Sequence, residues 1–331
     1  MNWDLIFWNA LYTSINAAAA GYCIIASGLN VHVGYTGLLN FGQAGFAAVG
    51  AYAFSIPIVA YGWAWYWALP LMLVCSVLLA LALGLPTLRL RADYLAIVTI
   101  AAAEILRLVF RSVGATAVTG GTRGLSGFND GFVSLAPWPG NSRYDFLGMN
   151  WSGAQLWLAI VGWIVVALCS LLVWALVRSP WGRVVKAIRE DEDAARSLGK
   201  NVYAYKMQAL VLGGVIGTLG GTVYALGLGS VNPDQYQNAN TFLAYTALIL
   251  GGAARILGPI VGGMILMFLV QFADTGFKAL ISNGIIPESL LSATDVASLR
   301  FVLIGVGLMA LLVFRPQGIF GDRREVMLDA R

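Results

Sequence analysis

Charge is what this sequence has least of. Asp, Glu, Lys and Arg make up 11% of its 331 residues, where an average soluble protein has about 25%. Water is therefore not its main solvent. There is one histidine, His32, so no histidine cluster can bind a metal and no His-x-x-x-His zinc motif exists. Cys23, Cys75 and Cys169 each fall inside an apolar run, far apart and with no partner at metal-ligand spacing, and read as inert packing residues. No Gly-x-x-x-x-Gly-Lys-[Ser/Thr] phosphate loop occurs. Gly199-Lys200-Asn201 comes nearest and lacks both the upstream glycine and the hydroxyl, so ATP hydrolysis by that mechanism is excluded. No cluster of nucleophile, base and orienting group is visible either, which argues against an enzyme. The N-terminus lacks the positive region of a secretory signal: its first charge is Asp4, and Asn9, Thr13, Ser14 and Asn16 interrupt the apolar stretch. It is expected to be retained.

What the sequence does have is apolar length. Hydrophobic residues are 59% of the chain, and several runs reach the roughly 20 residues that cross a bilayer. A soluble protein would have to bury nearly every helix on all sides, which one core of this size cannot do. Apolar segments fall at 5–28, 38–60, 66–87, 94–113, 153–177, 207–229, 241–254, 258–273 and 299–314. The expected fold is all-α: a polytopic membrane helical bundle, one transmembrane domain over 1–331, with about nine transmembrane segments including broken helices. Gly251-Gly252 and Gly258-Pro259, with Arg255 between them, mark a tight turn or a helix that dips partway into the membrane.

Basic residues set the orientation. The stretch 178–206 carries Arg178, Arg183, Lys186, Arg189, Arg196, Lys200 and Lys206, and the tail 315–331 carries Arg315, Arg323, Arg324 and Arg331. The positive-inside rule places both in the cytoplasm, with the Arg89/Arg91 turn, and leaves the Trp63 to Trp67 aromatic cluster at the outer interface. An odd number of crossings then puts the N-terminus outside and the C-terminus in the cytoplasm. The net charge of +4 belongs to these loops and implies no nucleic acid. The Gly-, Ser-, Thr- and Pro-rich segment 114–152 becomes an extracytoplasmic loop, either a docking surface or lid or an ordinary solvated loop.

Three stretches could carry function. In the cytoplasmic loop, Pro180 suits a helix's first turn, and Ala187 to Leu198 read as a short amphipathic helix ended by Gly199, with Ala194-Ala195 as a small-residue surface. The four acids Glu190 to Asp193 argue against anionic lipid and for a protein partner, although an interfacial helix remains open. In the glycine-dense run Gly34 to Gly50, Gly42 and Gly45 either allow close helix packing or let the backbone unwind around a substrate path, and Asn40 and Gln43 are costly amides expected to face the interior or the path. Third, Glu104 and Arg107 stand at i,i+3 within a span and can neutralise each other, or mark a site. Thr119-Gly-Gly-Thr122-Arg-Gly124 reads as a tight turn or an anion-binding nest.

The order of these motifs resembles a known family. Gly28-Leu-Asn-Val-His-Val-Gly-Tyr-Thr-Gly-Leu-Leu-Asn-Phe-Gly-Gln-Ala-Gly-Phe46, Leu88-Arg-Leu-Arg-Ala-Asp-Tyr-Leu-Ala-Ile-Val-Thr99, Thr119-Gly-Gly-Thr-Arg-Gly-Leu125, Gly182 to Gly199, Gly229-Ser-Val-Asn-Pro-Asp234, Leu250-Gly-Gly252 and Leu257-Gly-Pro-Ile-Val-Gly262 are similar to the Liv-type branched-chain amino acid permeases of ABC importers, the M-type of the permease pair. Urea importers use very similar permeases. Asp193-Ala194-Ala195-Arg-Ser-Leu-Gly199 resembles the Glu-Ala-Ala-x-x-x-Gly motif that docks on the ATPase in such importers, with Asp for Glu and without the hydrophobic-proline ending seen elsewhere. The resemblance implies inward transport of branched-chain amino acids by ATP-driven alternating access in a bacterial cytoplasmic membrane. It also implies a second homologous permease, two cytoplasmic ATPases that hold ATP and Mg, an extracytoplasmic solute-binding protein, and no cofactor in this chain. Arg183, Arg189, Glu192, Asp193, Ala194, Ala195 and Gly199 become coupling candidates. Asn40, Gly42, Gln43, Gly45, Glu104, Thr119 and Thr122 become pathway candidates. A stand-alone channel or secondary transporter is the competing class; it would need intramembrane acids or a histidine relay, and only Glu104 qualifies.

Overall fold

The first apolar run folds as two helices. In the computed structural model, which describes residues 3–88, 92–146, 149–283, 299, 302, 305–307, 309, 313–314 and 317–321, α1 (Trp3–Ile15) stops at Asn16 and α2 (Ala17–Leu29) starts beyond it. Asn16 leaves the helical region, and its side-chain oxygen accepts from Ala19 N at 2.9 Å. A residue that satisfies one of the first free N–H groups in this way starts a new helix more readily than it continues an old one. The span expected at 5–28 is thus broken at Asn16, and its second half extends through a π-helical turn, Asn30–Tyr35.

From there the chain runs through α3 (Gln43–Tyr61), α4 (Trp65–Thr87) and α5 (Ala92–Arg111). A polar segment follows, with α6 (Thr116–Thr119), β1 (Leu125–Ser126), α7 (Asp130–Val133), β2 (Arg143–Phe146) and β3 (Met149–Ser152). The 26-residue α8 (Gly153–Arg178) crosses to the other end of the bundle, where α9 (Pro180–Glu190) and α10 (Glu192–Ser197) lie. The 27-residue α11 (Val202–Leu228) returns to β4 (Ser230–Val231), a 3-10 turn (Pro233–Tyr236), α12 (Asn238–Gly251) and α13 (Gly258–Ser282). At 1.5 Å per residue α8 and α11 are each about 40 Å long. The segment containing β1 to β3 and the α9–α10 pair therefore sit at opposite ends.

Among the described residues, two short antiparallel ribbons accompany the helical bundle. Leu125 and Ser126 pair antiparallel with Val231 and Ser230, and β2 forms a hairpin with β3, Arg143 opposite Ser152 and Phe146 opposite Met149. These ribbons close backbone hydrogen bonds in a segment with too few apolar residues to pack a helix.

Among the described residues, six helical stretches are long and apolar enough to cross a membrane: Ala17–Tyr35, Gln43–Tyr61, Trp65–Thr87, Gly153–Arg178, Val202–Leu228 and Gly258–Ser282. The 14-residue α12 reaches about 21 Å, short of the roughly 30 Å hydrocarbon core. The span expected at 299–314 lies mostly outside the described residues, as do Arg89, Arg91 and, apart from 317–321, the tail 315–331. Residues 319 and 320 donate to Leu250 O and Gly251 O at the end of α12.

The centre is α2, in which eleven of the residues from Ala19 to Leu29 are buried. Small residues make this possible by letting neighbours approach on every side. Along its seam with α11, a Cβ on Gly220 would stand 2.6 Å from Ile25 N, and one on Gly21 would collide with Tyr224 N. Outward, Leu78 on α4 and Leu168 and Leu171 on α8 are each 59% exposed. Contiguous apolar surface of this kind belongs in lipid.

Candidate functional site

The loop between the π-turn and α3 folds a polar network into the middle of the bundle. Asn40 and Gln43 are fully buried. Asn40 Nδ2 lies 2.9 Å from His32 Nδ1 and 3.3 Å from Gln43 Oε1, while Gln43 Nε2 donates to Ile25 O on α2 and Gly213 O on α11, each at 3.3 Å. His32 Nε2 is 3.0 Å from Leu210 O. Since Asn40 Nδ2 can only donate and a carbonyl can only accept, the imidazole carries its proton on Nε2. Tyr245 on α12 donates to Asn40 O at 2.9 Å. The two residues thus face the interior, their side chains bonded to the π-turn, α2 and α11 and the Asn40 backbone to α12. His32 joins them although sequence reading saw only its isolation: it is eight residues from Asn40 across a non-helical loop, so no periodicity connects them.

The glycines expected nearby pack closely. A Cβ on Gly42 would stand 2.5 Å from Thr99 O, and one on Gly45 3.1 Å from Ala103 Cα, so both serve the α3–α5 contact. Glu104 lies farther along α5, where it pairs with Arg107, whose Nη1 also reaches Asp234 Oδ1 at 2.9 Å. Thr119 and Thr122 belong to neither group. Thr119 donates to Phe110 O at 2.8 Å and Ala115 O at 3.0 Å, which locks α6 onto the end of α5, and Thr122 is exposed on the turn whose glycines, Gly120, Gly121 and Gly124, all have positive φ. The Thr119 to Gly124 stretch is a tight turn.

At the opposite end, α9 and α10 replace the continuous helix expected from Ala187 to Leu198. Asp191 adopts an extended conformation, and its Oδ1 accepts from Asp193 N at 3.0 Å and Ala194 N at 2.9 Å. A carboxylate inside a helix competes for backbone donors, and here it wins and begins α10, with Glu192 and Asp193 favourably placed in its first turn. Arg196 pairs with Glu192 at 2.9 Å and Asp193 at 3.0 Å, and Lys206 with Glu192. The small-residue surface is divided: Ala194 is exposed, whereas Ala195 is buried against Ile188 and Val202. Leu198, which the sequence did not single out, is 79% exposed. Gly199 has φ 77° and open space around it, so a left-handed backbone and not close approach explains it.

Arg183 and Arg189 are both exposed on α9, but Arg189 reaches back to the bundle. Its Nη1 donates to Gly34 O at 2.5 Å, and its side chain rests on Gly37. The segment it grips is the π-turn that also carries His32 and Asn30. Asn30 accepts from Ala254 N at 2.9 Å and donates to Arg255 O at 2.8 Å, and so clasps the break between α12 and α13. A π-turn marks a place where regular helix has yielded to another demand. Here the demand is that one turn serve α9, α11 and the α12–α13 break together.

Long apolar helices around a small-residue core, with polar groups satisfied only inside, define a multi-pass membrane protein; among the described residues no group of His, Cys, Asp and Glu could hold a metal ion. The model of one family, the permease component of branched-chain amino acid transport systems, matches residues 11–312, and the chain belongs to that family. It is similar to the high-affinity branched-chain amino acid transport system permease protein LivM of Escherichia coli (strain K12), 30% identical over 307 residues covering 90% of this chain and 67% of that protein. A probable LivM of Methanocaldococcus jannaschii is 23% identical over 340 residues, 91% of each chain. The autoinducer 2 import system permease protein LsrC of Photorhabdus laumondii is 29% identical over 131 residues, 38% of this chain and 39% of its own.

Proposed function

We propose that this chain is the M-type permease subunit of an ABC importer that moves leucine, isoleucine and valine inward by ATP-driven alternating access. The observation that carries the proposal is the hand-off at Arg189. A helix pair outside the spans, with Ala194 and Leu198 presented outward, is tied by one guanidinium to the turn from which the buried network radiates. A push on α9–α10 then reaches three helices at once, as alternating access between two states of a bundle requires. In this reading two ATPases bind ATP and Mg and dock on α10, a second homologous permease completes the bundle, and an extracytoplasmic binding protein delivers substrate. The protein lies in a bacterial cytoplasmic membrane with its N-terminus and the 114–152 segment outside, and with 178–206 and the C-terminal tail in the cytoplasm. The E. coli and M. jannaschii relatives support the substrate by name.

The test is uptake of radiolabelled leucine, isoleucine, valine and urea by cells with and without this gene, the partner genes being present throughout. Loss of the three amino acids alone is expected. Loss of urea alone, or no change, would overturn the substrate assignment, and uptake that persists without any ATPase subunit would point to a stand-alone channel or secondary transporter.

A further inference from the structure

Four charges, two of each sign, meet where α5 passes the 3-10 turn and the start of α12. Arg107 Nε lies 3.1 Å from each carboxylate oxygen of Glu104, its Nη1 is 2.9 Å from Asp234 Oδ1, and Arg111 Nη1 is 3.3 Å from that same oxygen. The Arg107 side chain is 13% exposed, those of Arg111 and Asp234 44% each. Arg107 is therefore the frame of the cluster, and Arg111 and Asp234 are its open edge.

Two buried polar atoms beside this cluster have no hydrogen-bond partner among the described residues: Asn238 Oδ1 and the Tyr52 hydroxyl. The Asn238 amide nitrogen lies 3.5 Å from Glu104 Oε2, and Tyr52, only 1% exposed, packs on Phe110, the residue before Arg111. Leaving such groups unpaired in a buried place is costly, a loss that a ligand can recover. The helix α12 also begins here without a side-chain cap, so no side chain of its own offsets the positive end of its dipole. The ring of Tyr52 stacks on Phe110 at 4.2 Å and borders an apolar groove of about 500 Å³ that opens past Ile56, Leu71 and Leu106 to the exposed Leu78. Polar and apolar surfaces meet at this one side chain.

The cluster selects its ligand by exclusion. A simple anion would meet Glu104 and Asp234, and a simple cation would meet the two guanidiniums. A molecule with both charges a few ångströms apart matches the whole set: its carboxylate suits Arg111 and the start of α12, and its ammonium suits Asp234 and the empty acceptor of Asn238. We infer that Glu104, Arg107, Arg111 and Asp234, with Asn238 and Tyr52, bind the zwitterionic head of an α-amino acid on its way through the permease. This rests on the amino acid reading above.

The experiment measures leucine uptake per ATP hydrolysed by the whole importer in proteoliposomes, with leucine-loaded binding protein in excess. Asp234→Asn and Tyr52→Phe are each expected to lower that ratio about tenfold or more. Tyr52→Phe removes only an unbonded hydroxyl, so its melting temperature should equal or exceed that of the wild type. The exchange Arg111→Asp with Asp234→Arg keeps an ion pair but inverts the edge of the site, and uptake should stay lost. Wild-type ratios in Asp234→Asn and Tyr52→Phe, or restoration of uptake by the exchange, would show a structural clamp and overturn the inference while leaving the transport reading intact. A wild-type importer that carries no leucine would overturn both.

Discussion

Gln43 holds three elements with one amide, yet magnitudes assign it a modest share of stability. Hydrogen bonds between helices in a membrane average about 0.6 kcal/mol and reach about 1.7, because the separated helices also find partners. Gln43→Ala should therefore lower the melting temperature in detergent by only a few degrees. The glycine seam is different. A leucine at Gly220 would meet the backbone of Gly21 and Ile25, and backbone in the centre of a bundle has nowhere to go. Gly220→Leu should abolish a monodisperse peak on size-exclusion chromatography of the solubilised protein. Glycine density was visible in the sequence as a sign of close packing or unwinding, and Asn40 and Gln43 as costly amides in a membrane segment. Which of them hold helices together and which form a network was not, since His32, Asn40 and Gln43 meet only because the loop between the π-turn and α3 turns back on itself.

At the scale of elements, the proposed coupling makes the pair α9–α10 a lever with two ends. One end is Arg189 on Gly34 O; the other is the exposed face of α10 with Leu198. Cutting each end should fail differently. Arg189→Ala should leave the ATPases bound and hydrolysing while leucine uptake per ATP falls, whereas Leu198→Asp should lose the ATPases on affinity purification of the complex. Uptake per ATP unchanged in Arg189→Ala would remove the hand-off from the mechanism. At Gly199 the left-handed backbone sets the expectation: a β-branched residue there costs about 1 kcal/mol or more and shifts the loop that leads into α11. The sequence marked a helix's first turn at Pro180 and a helix end at Gly199, because both residues act through their own backbone preferences. The break at Asp191 depended on the carboxylate winning a competition that propensity alone leaves open.

For the whole molecule the expectation concerns sides. The exposed residues Ser134 and Ser197 lie at opposite ends of the bundle. With a membrane-impermeant maleimide, Ser134→Cys should label in intact cells and Ser197→Cys only in inverted vesicles. Labelling of both from one side would contradict the orientation read from Arg and Lys. The native Cys23 and Cys169 are buried and Cys75 half-buried, so they are expected to contribute little background.

What the sequence by itself determined is whatever a single segment decides against its solvent. Apolar runs of crossing length, basic loops, aromatic ends and capping residues each respond to lipid, water or their own backbone, and none needs a distant partner. Motif order carried the family in the same way. The tertiary structure alone decided what depends on two segments at once: the pairing of β1 with β4, the grip of Arg189 on the π-turn, the clasp of Asn30 on the α12–α13 break, and the meeting of α5 with Asp234 and Asn238. Glu104 and Arg107 could be paired from their spacing, but Asp234 stands 127 residues beyond Arg107. Only packing brings it there, because in lipid a polar group is satisfied by whichever other polar group the fold delivers.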